Sequence, residues 1–293
     1  MSAPELPSPL SASSLSVFSE TLFAGTLARL RAAGCVFAEE ESRLLLAAAS
    51  GPAELATAVE RRIAGYPLEH ILGWAQFCGL RIAVEPGVFV PRRRTELLVN
   101  QAVALLLDGA LACRREDSDG VGATPAIVVD LCCGSGAVGV ALASRVAGIE
   151  LHTADIDPDA VKCARRNVGP MGGHVHQGDL YEALPPGLRG RIRLLAVNAP
   201  YVPTDAISTM PHEARDHEPR ISLDGGVDGL DIHRRVAAEA LEWLAPGGHL
   251  LIETSERQAA RTSGIMAGAG FDVRIVRSDE LDGTVVIGQA GTA

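Results

Sequence analysis

The chain has 293 residues, enough for two domains or one large one at ~150 residues each. Its hydrophobic fraction of 47% and charged fraction of 21% are those of a globular protein and exclude disorder as the main state. Lys and Arg total 26 against 36 Asp and Glu, a formal net charge of −10. Such a chain has no global field to draw in phosphate backbones, so direct nucleic-acid binding is not expected.

The first residues are rich in Pro and Ser, carry Glu5, and lack the basic start and apolar stretch of a secretory signal. Residues 1–13 are therefore expected as a disordered tail. From about Ser14 to Gly65 the spacing is helical: Leu15, Phe18, Leu22 and Phe23 recur, then Leu27 and Leu30, then Leu44 to Leu46 ahead of an alanine run. Gly51-Pro52 breaks the chain and Ala53 to Ile63 reads as another short helix. The stretch 14–74 is expected as a small helical module. Phe77 to Val90 reads as extended, with Gly79, Pro86 and Gly87 between two short β segments, and 75–90 is expected as a hairpin linker. A helix is expected over Thr95 to Leu107, and a polar surface loop over Arg114 to Pro125.

After Pro125, strands and helices alternate. Strands are expected at Ala126 to Leu131, Glu150 to Asp155, His174 to Gly178, Ile192 to Val197 and His249 to Glu253, with closing strands at Phe271 to Val276 and Thr284 to Ile287. Helices fall at Ala137 to Val146, Pro158 to Asn167, Gly229 to Leu244 (ended by Pro246-Gly247-Gly248) and Ser255 to Ala269. The pattern predicts an α/β domain over 91–293: a mostly parallel sheet with helices on both faces.

No apolar run approaches the ~20 residues of a membrane helix, so no membrane partner is expected. The six cysteines show no C-x-x-C spacing, and His174 and His176 share a strand face without nearby partner ligands; no metal site is expected. Free thiols fit a reducing cytoplasm. The short basic clusters, Arg92 to Arg94, Arg165 with Arg166, and Arg189 to Arg193, read as solvated faces or carboxylate partners. A monomer is the default expectation.

The first chemical motif is Asp130-Leu131-Cys132-Cys133-Gly134-Ser135-Gly136-Ala137-Val138-Gly139, between a strand and a helix. Its glycines let a ligand approach the backbone, and the helix start offers free N–H groups. Asp155 ends the next strand, near the ~20-residue offset of a ribose-binding acid, and its two oxygens can accept both ribose hydroxyls. Gly134-x-Gly136-x-x-Gly139 matches the dinucleotide fingerprint, so a nicotinamide enzyme is one reading. S-adenosylmethionine is the other. Asp130 favours it, because a carboxylate there suits a ligand with an ammonium group and no pyrophosphate.

The second motif is Asn198-Ala199-Pro200-Tyr201, at the carboxyl end of a strand, where open α/β sheets bind ligands. Asn198 supplies a carbonyl acceptor, Ala199 a backbone carbonyl, Pro200 a stiff turn and Tyr201 a flat face. Together they could grip a planar NH₂ group by both hydrogens. An amide nitrogen is a poor nucleophile because its lone pair is delocalised. Acceptors aimed at its N–H bonds hold it beside a methyl donor and strengthen as positive charge develops.

With these motifs the chain resembles the HemK-type protein-(glutamine N5) methyltransferases. Pro67 to Gly73 (PLEHILG) is similar to that family's linker segment, Phe89 to Leu97 (FVPRRRTEL) to its Pro-Arg…Thr-Glu motif, and DLCCGSGAVGVALA to its glycine loop. ADIDPDAVKCARRN resembles its ribose-binding strand and helix, and NAPY its Asn-Pro-Pro-Tyr motif. Glu218-Pro219 with the following LDGGVDGLDIHRRV resembles its post-motif segment. The resemblance implies a Rossmann-like S-adenosylmethionine-dependent methyltransferase sheet behind an N-terminal helical partner-docking domain. It implies methyl transfer to a glutamine side-chain amide, in known members that of the Gly-Gly-Gln motif of a class I peptide chain release factor. Gly134 to Gly136 would wrap the methionine part of the cofactor, Asp155 would hold the ribose, and the Gly178-Asp179-Leu180 turn would lie by the adenine. The cofactor-binding positions so implied are Asp130, Cys132, Gly134, Ser135, Gly136, Asp155, Ile156, Asp179, Leu180 and Asn198. Asn198 would touch both the methyl donor and the substrate amide, Ala199 would line the substrate slot, and Asn198, Pro200 and Tyr201 would be catalytic.

Three departures mark a divergent member. Ala199 replaces the first proline of Asn-Pro-Pro-Tyr, which keeps the carbonyl but frees φ and adds an N–H. Arg93-Arg94 replace a Pro and an acidic residue, and Glu253-Thr254-Ser255 stands for Glu-Ile-Gly. Other readings stay open at this level: a paralogue acting on another protein or on an exocyclic amine of a nucleic-acid base, and a non-catalytic cofactor-binding protein.

Overall fold

The computed structural model of the chain describes residues 12–116 and 125–292. They divide into two compact units, one up to Leu72 and one from Gly73 onward.

The first unit holds four helices, α1 (Ala12–Ala32), α2 (Ala38–Ala48), α3 (Pro52–Ile63) and the short α4 (Leu68–Leu72). Their shared interior is Leu30, Ala38, Leu45, Leu55 and Val59, joined by Leu68 and Ile71. Pro52 opens α3, where its missing N–H removes no helical bond. Glu41 on α2 meets Arg62 on α3 in a two-point pair, Nε to Oε2 at 2.7 Å and Nη2 to Oε1 at 3.1 Å, with both side chains 9% exposed. Such a fork fixes the mutual orientation of the two helices. Ala12 and Ser13, expected in the tail, are helical; residues 1–11 lie outside the described residues.

The second unit opens with a hairpin, β1 (Trp74–Phe77) and β2 (Leu80–Ala83), which fills the first part of the expected 75–90 span; residues 84–90 carry no strand. Cys78 and Gly79 form its two-residue turn, both at positive φ, the geometry that suits strand twist. α5 (Glu96–Glu116) runs well past Leu107 and includes Arg114 to Glu116, where a loop was expected. Ala, Leu, Arg and Glu are all good helix formers, so polarity alone did not end the helix. The rest of that expected loop, up to residue 124, lies outside the described residues.

Seven strands follow, β3 (Ala126–Leu131), β4 (Ile149–Asp155), β5 (His174–Gln177), β6 (Ile192–Val197), β7 (Leu244–Glu253), β8 (Asp272–Ser278) and β9 (Gly283–Gln289). They form one sheet in the order β5-β4-β3-β6-β7-β9-β8. β5 through β7 are parallel, and β9 runs antiparallel to both of its neighbours. The parallel crossovers carry α6 (Ala137–Arg145), α7 (Pro158–Val168), α8 (His212–His217) and α9 (Asp231–Trp243), and α10 (Ala259–Gly268) leads to β8. Alternate strand residues feed two cores. Ile127, Val129 and Leu131 face one layer with Val236 and Met266, while Val128 faces the other with Leu98 and Leu142. Both faces are covered, which explains the unbroken apolar runs. Pro246-Gly247-Gly248 lies within β7. Pairing with β6 jumps from Ile192↔Leu244 to Leu194↔His249, so the extra residues bulge out of the ladder.

Most of the basic clusters have carboxylate partners: Arg92 pairs with Glu218, Arg166 with Glu85 and Arg189 with Glu242. Among the described residues no helix is long and apolar enough to cross a membrane, and no His, Cys, Asp and Glu group could hold a metal.

Candidate active site

The order of the sheet reverses direction between β3 and β6, and a cavity of about 640 Å³ opens over the carboxyl ends of β3, β4, β6 and β7. This is the place where open α/β sheets take ligands. Asp130, Cys132, Gly134, Ser135, Asp155, Ile156, Asp179, Leu180, Asn198, Ala199, Pro200 and Tyr201 all line it. Gly136 does not. It turns the backbone at the start of α6 with φ +77°, its N–H donating to the Cys133 carbonyl at 2.8 Å, and a Cβ there would fall 2.7 Å from Val168 Cγ2. Gly136 therefore shapes the loop from behind the wall.

One end of the cavity is built by the backbone of the glycine loop and two strand-end carboxylates. Asp130 Oδ2 accepts the Gly139 N–H at 2.9 Å, tying β3 to α6. Asp155 Oδ2 accepts the Gly134 N–H at 2.8 Å and Oδ1 the Asp157 N–H at 3.0 Å. The carboxylate at the end of β4 thus holds the loop after β3 in shape. Burial pushes the Asp130 carboxyl up to about 7; the Gly139 N–H opposes the rise and the Asp155 charge adds to it. Burial also raises Asp155, against the N–H groups of Asp157 and Gly134. Two crowded carboxylates of this kind are relieved by a ligand that brings positive charge. Burial holds the Cys132 and Cys133 thiols far above their ordinary value, so both remain neutral. Asp179 accepts from Arg235 Nη2 at 2.8 Å, and Ile156 stands 47% exposed on the rim. Asn167, near the end of α7, bonds both the N–H and the carbonyl of Ala83 and also the Ser135 carbonyl, each at 2.9 Å, stitching the hairpin to the glycine loop.

The other end is a side-chain network. Asn198 Nδ2 donates to Thr95 Oγ1 at 3.2 Å. The Tyr201 hydroxyl lies 3.4 Å from Glu253 Oε1, the Thr95 hydroxyl faces the same carboxylate, and Glu253 Oε2 is buried with no hydrogen-bond partner. Burial pushes Glu253 up to about 7, opposed by the Thr95 hydroxyl, the Arg94 charge and the Tyr201 hydroxyl. Burial, with the Glu253 charge beside it, raises Tyr201 to about 12. The turn after β6 is clamped from outside. Gln258 Nε2 donates to the Tyr201 carbonyl at 2.9 Å and the Asp228 carbonyl at 3.2 Å. A Cβ on Gly229 would sit 2.3 Å from the Tyr201 carbonyl oxygen, so only glycine allows the loop after α8 to approach. Val90 N–H and Arg92 both donate to Glu218 Oε1, at 3.2 and 2.6 Å, which holds the segment around Pro219 over the cavity.

Thr95, Glu253 and Gln258, which hold the turn after β6, are among the residues that motif reading did not assign to the site. Thr95 and Glu253 lay inside segments singled out for other reasons. Glu253 did carry a signal, since it ends the apolar run of β7 as Asp130 and Asp155 end theirs.

A backbone cradle, a carboxylate beneath it for an ammonium group and a second carboxylate at the neighbouring strand end fit S-adenosylmethionine. The sequence profile of the Methyltransferase small domain matches residues 118–212, which span the glycine loop and the Asn198 turn. A methyltransferase structure from Pyrococcus furiosus, 12% identical, superposes with a TM-score of 0.50 over 80% of this chain and 99% of that one, a likeness of fold. The protein is an S-adenosylmethionine-dependent methyltransferase with a Rossmann-like sheet. A curated release factor glutamine methyltransferase from Geobacter sulfurreducens is 36% identical over 225 residues, 75% of this chain and 72% of its own. A 4-amino-L-phenylalanine/4-methylamino-L-phenylalanine methyltransferase from Streptomyces pristinaespiralis is 38% identical over 217 residues, 72% of this chain and 69% of its own. The chain belongs to the release factor glutamine methyltransferase family.

Proposed function

We propose that this chain methylates the side-chain amide nitrogen of a protein glutamine, the Gly-Gly-Gln glutamine of a class I peptide chain release factor. The observation that carries the reading is the Asn198 amide, which lines the same cavity as the glycine loop with its Nδ2 engaged by Thr95. That engagement leaves Oδ1 as an acceptor for a substrate N–H. S-adenosylmethionine, when bound, supplies an electrophilic methyl group on a positively charged sulfur. Asp130 would offer its carboxylate to the ammonium group and Asp155 its oxygens to the ribose, while the backbone at Cys132, Gly134 and Ser135, shaped by Gly136, would hold the methionine chain. Ile156, Asp179 and Leu180 would border the adenine. Asn198 Oδ1 and the Ala199 carbonyl accept the two N–H bonds of the amide, Pro200 stiffens the turn, and the Tyr201 ring lies against the amide plane. These acceptors strengthen as charge grows on nitrogen, so they favour the transition state over the bound substrate.

The proposed organisation is a partner-docking helical domain in the unit up to Leu72 and a catalytic domain in the unit from Gly73, which opens with the hairpin over 74–83. Val36 and Phe37, 83% and 67% exposed between α1 and α2, support docking by the helical unit. A cytoplasmic monomer without direct nucleic-acid contact fits the net charge of −10 and the free cysteines. The test is peptide mapping by mass spectrometry after incubation with S-adenosylmethionine and each unmethylated class I release factor of the same organism. Methyl on the Gly-Gly-Gln glutamine is the expected result; cofactor binding without methyl transfer overturns it.

A second reading is favoured by the Streptomyces pristinaespiralis relative: an aromatic primary amine in the same slot. Phe77, Phe89, Met210 and Ile221 line the cavity and would suit a ring. Adding 4-amino-L-phenylalanine as the sole acceptor distinguishes the two.

A further inference from the structure

We propose that Glu253 is a positioning residue that sets the orientation of the Asn198 amide through the Thr95 hydroxyl. The inference rests on the reading of Asn198 as the group that grips the substrate nitrogen. A threonine hydroxyl has one proton to give. When Glu253 is a carboxylate it can only accept, so Thr95 gives that proton to Glu253 and accepts from Asn198 Nδ2, which is the 3.2 Å contact observed. Asn198 is then locked with Nδ2 toward Thr95 and Oδ1 released to accept. A neutral Glu253 can donate instead; Thr95 then accepts from Glu253 and turns its own proton toward Asn198. That proton needs an acceptor, which favours the flipped amide with Oδ1 toward Thr95. The flipped amide presents two donors to an NH₂ group and cannot hold it.

Geometry carries the assignment. Glu253 ends β7 and is 2% exposed, Thr95 precedes α5 and is 2% exposed, and both face the turn after β6. The charged and titratable groups around the carboxylate are Arg94, next to Thr95 in the chain, and Tyr201, whose hydroxyl lies 3.4 Å from Oε1 and is held protonated. Burial lifts Glu253 to about 7, so the two relay states exchange near neutrality and the competent one is lost as pH falls through that value.

The experiment uses the full ¹⁵N-labelled chain. The Asn198 side-chain NH₂ signals, assigned by their absence in Asn198→Asp, are followed from pH 5.5 to 8.5 in the wild type, Thr95→Val and Glu253→Gln. The expected result is a wild-type shift with a midpoint near 7 that disappears in both variants. An unchanged Asn198 titration in Glu253→Gln overturns the inference without any substrate. In parallel, release-factor methylation should lose about 10- to 100-fold in kcat in Glu253→Gln, with cofactor affinity kept within about twofold and partial recovery in Glu253→Asp. If the wild type transfers no methyl while the nuclear resonance result holds, the glutamine reading fails and the relay stands. A wild-type rate in Glu253→Gln overturns the relay alone.

Discussion

The two ends of the cavity stand on adjacent strands but are stiffened differently. At the glycine-loop end, the loop after β3 is held by its backbone groups: Gly136 turns it, Gly139 lets α6 close on Asp130, and the Asp155 carboxylate accepts the Gly134 N–H. At the acceptor end, the turn after β6 is held by side chains from Thr95, Glu253 and Gln258, on three other segments. The first end tolerates change poorly because backbone and packing share the same atoms. The second can be altered one contact at a time, so a family can keep its methyl donor while shifting what it methylates.

The contrast can be tested in order of expected effect. Asn198→Ala should lower transfer by about 10²- to 10³-fold while cofactor affinity, read by calorimetry, stays within about twofold. Equal losses in both would mean the two ends are one unit. Gly136→Ala should do the reverse and damage fold and cofactor site together. The added Cβ meets Val168 Cγ2 at 2.7 Å in a positive-φ conformation, for a loss of about 1–3 kcal/mol in urea unfolding. Gln258→Leu removes the donor that holds the Tyr201 carbonyl and should cost about tenfold in kcat at unchanged cofactor affinity.

A separate test of the glycine-loop end concerns pH. Asp130 has a folded value of about 7 against an ordinary 3.8, so its ionisation opposes folding of the ligand-free protein. Its contribution to stability is complete below pH 3.8 and is lost as pH rises through about 7. Denaturant midpoints of the free protein should therefore fall across that window, and more shallowly in Asp130→Asn. A steeper fall in the variant would place the titration elsewhere.

The cofactor end was readable in the sequence because its parts are neighbours along the chain. Strand, glycines and helix start fall within Asp130 to Gly139, and Asp155 ends the next strand at the expected spacing. The Asn-Ala-Pro-Tyr turn was readable for the same reason. Its supports were not. Thr95 lies 103 residues from Asn198, Glu253 lies 52 from Tyr201 and Gln258 lies 57 from Tyr201, and no local periodicity reports a contact made across a sheet. The bulge at Pro246 to Gly248 was hidden differently. Its Pro-Gly-Gly reads as a helix stop, and only the pairing of Leu244 and His249 with β6 on either side of it keeps it within the strand. The extension of α5 past Leu107 shows the opposite error, where polar composition was read as a loop although the residues favour helix.

The wide spacing of the acceptor supports also gives the site a calendar. Domains emerge from synthesis amino end first, so the glycine loop, Asp155 and Asn198 are all made before Glu253 and Gln258. β7 lies between β6 and β9, and Glu253 takes its place only when that late strand pairs. A chain cut short before β7 would possess the glycine loop, Thr95 and Asn198 but neither Glu253 nor Gln258. The clamp on the turn after β6 is thus completed only by the late part of the chain.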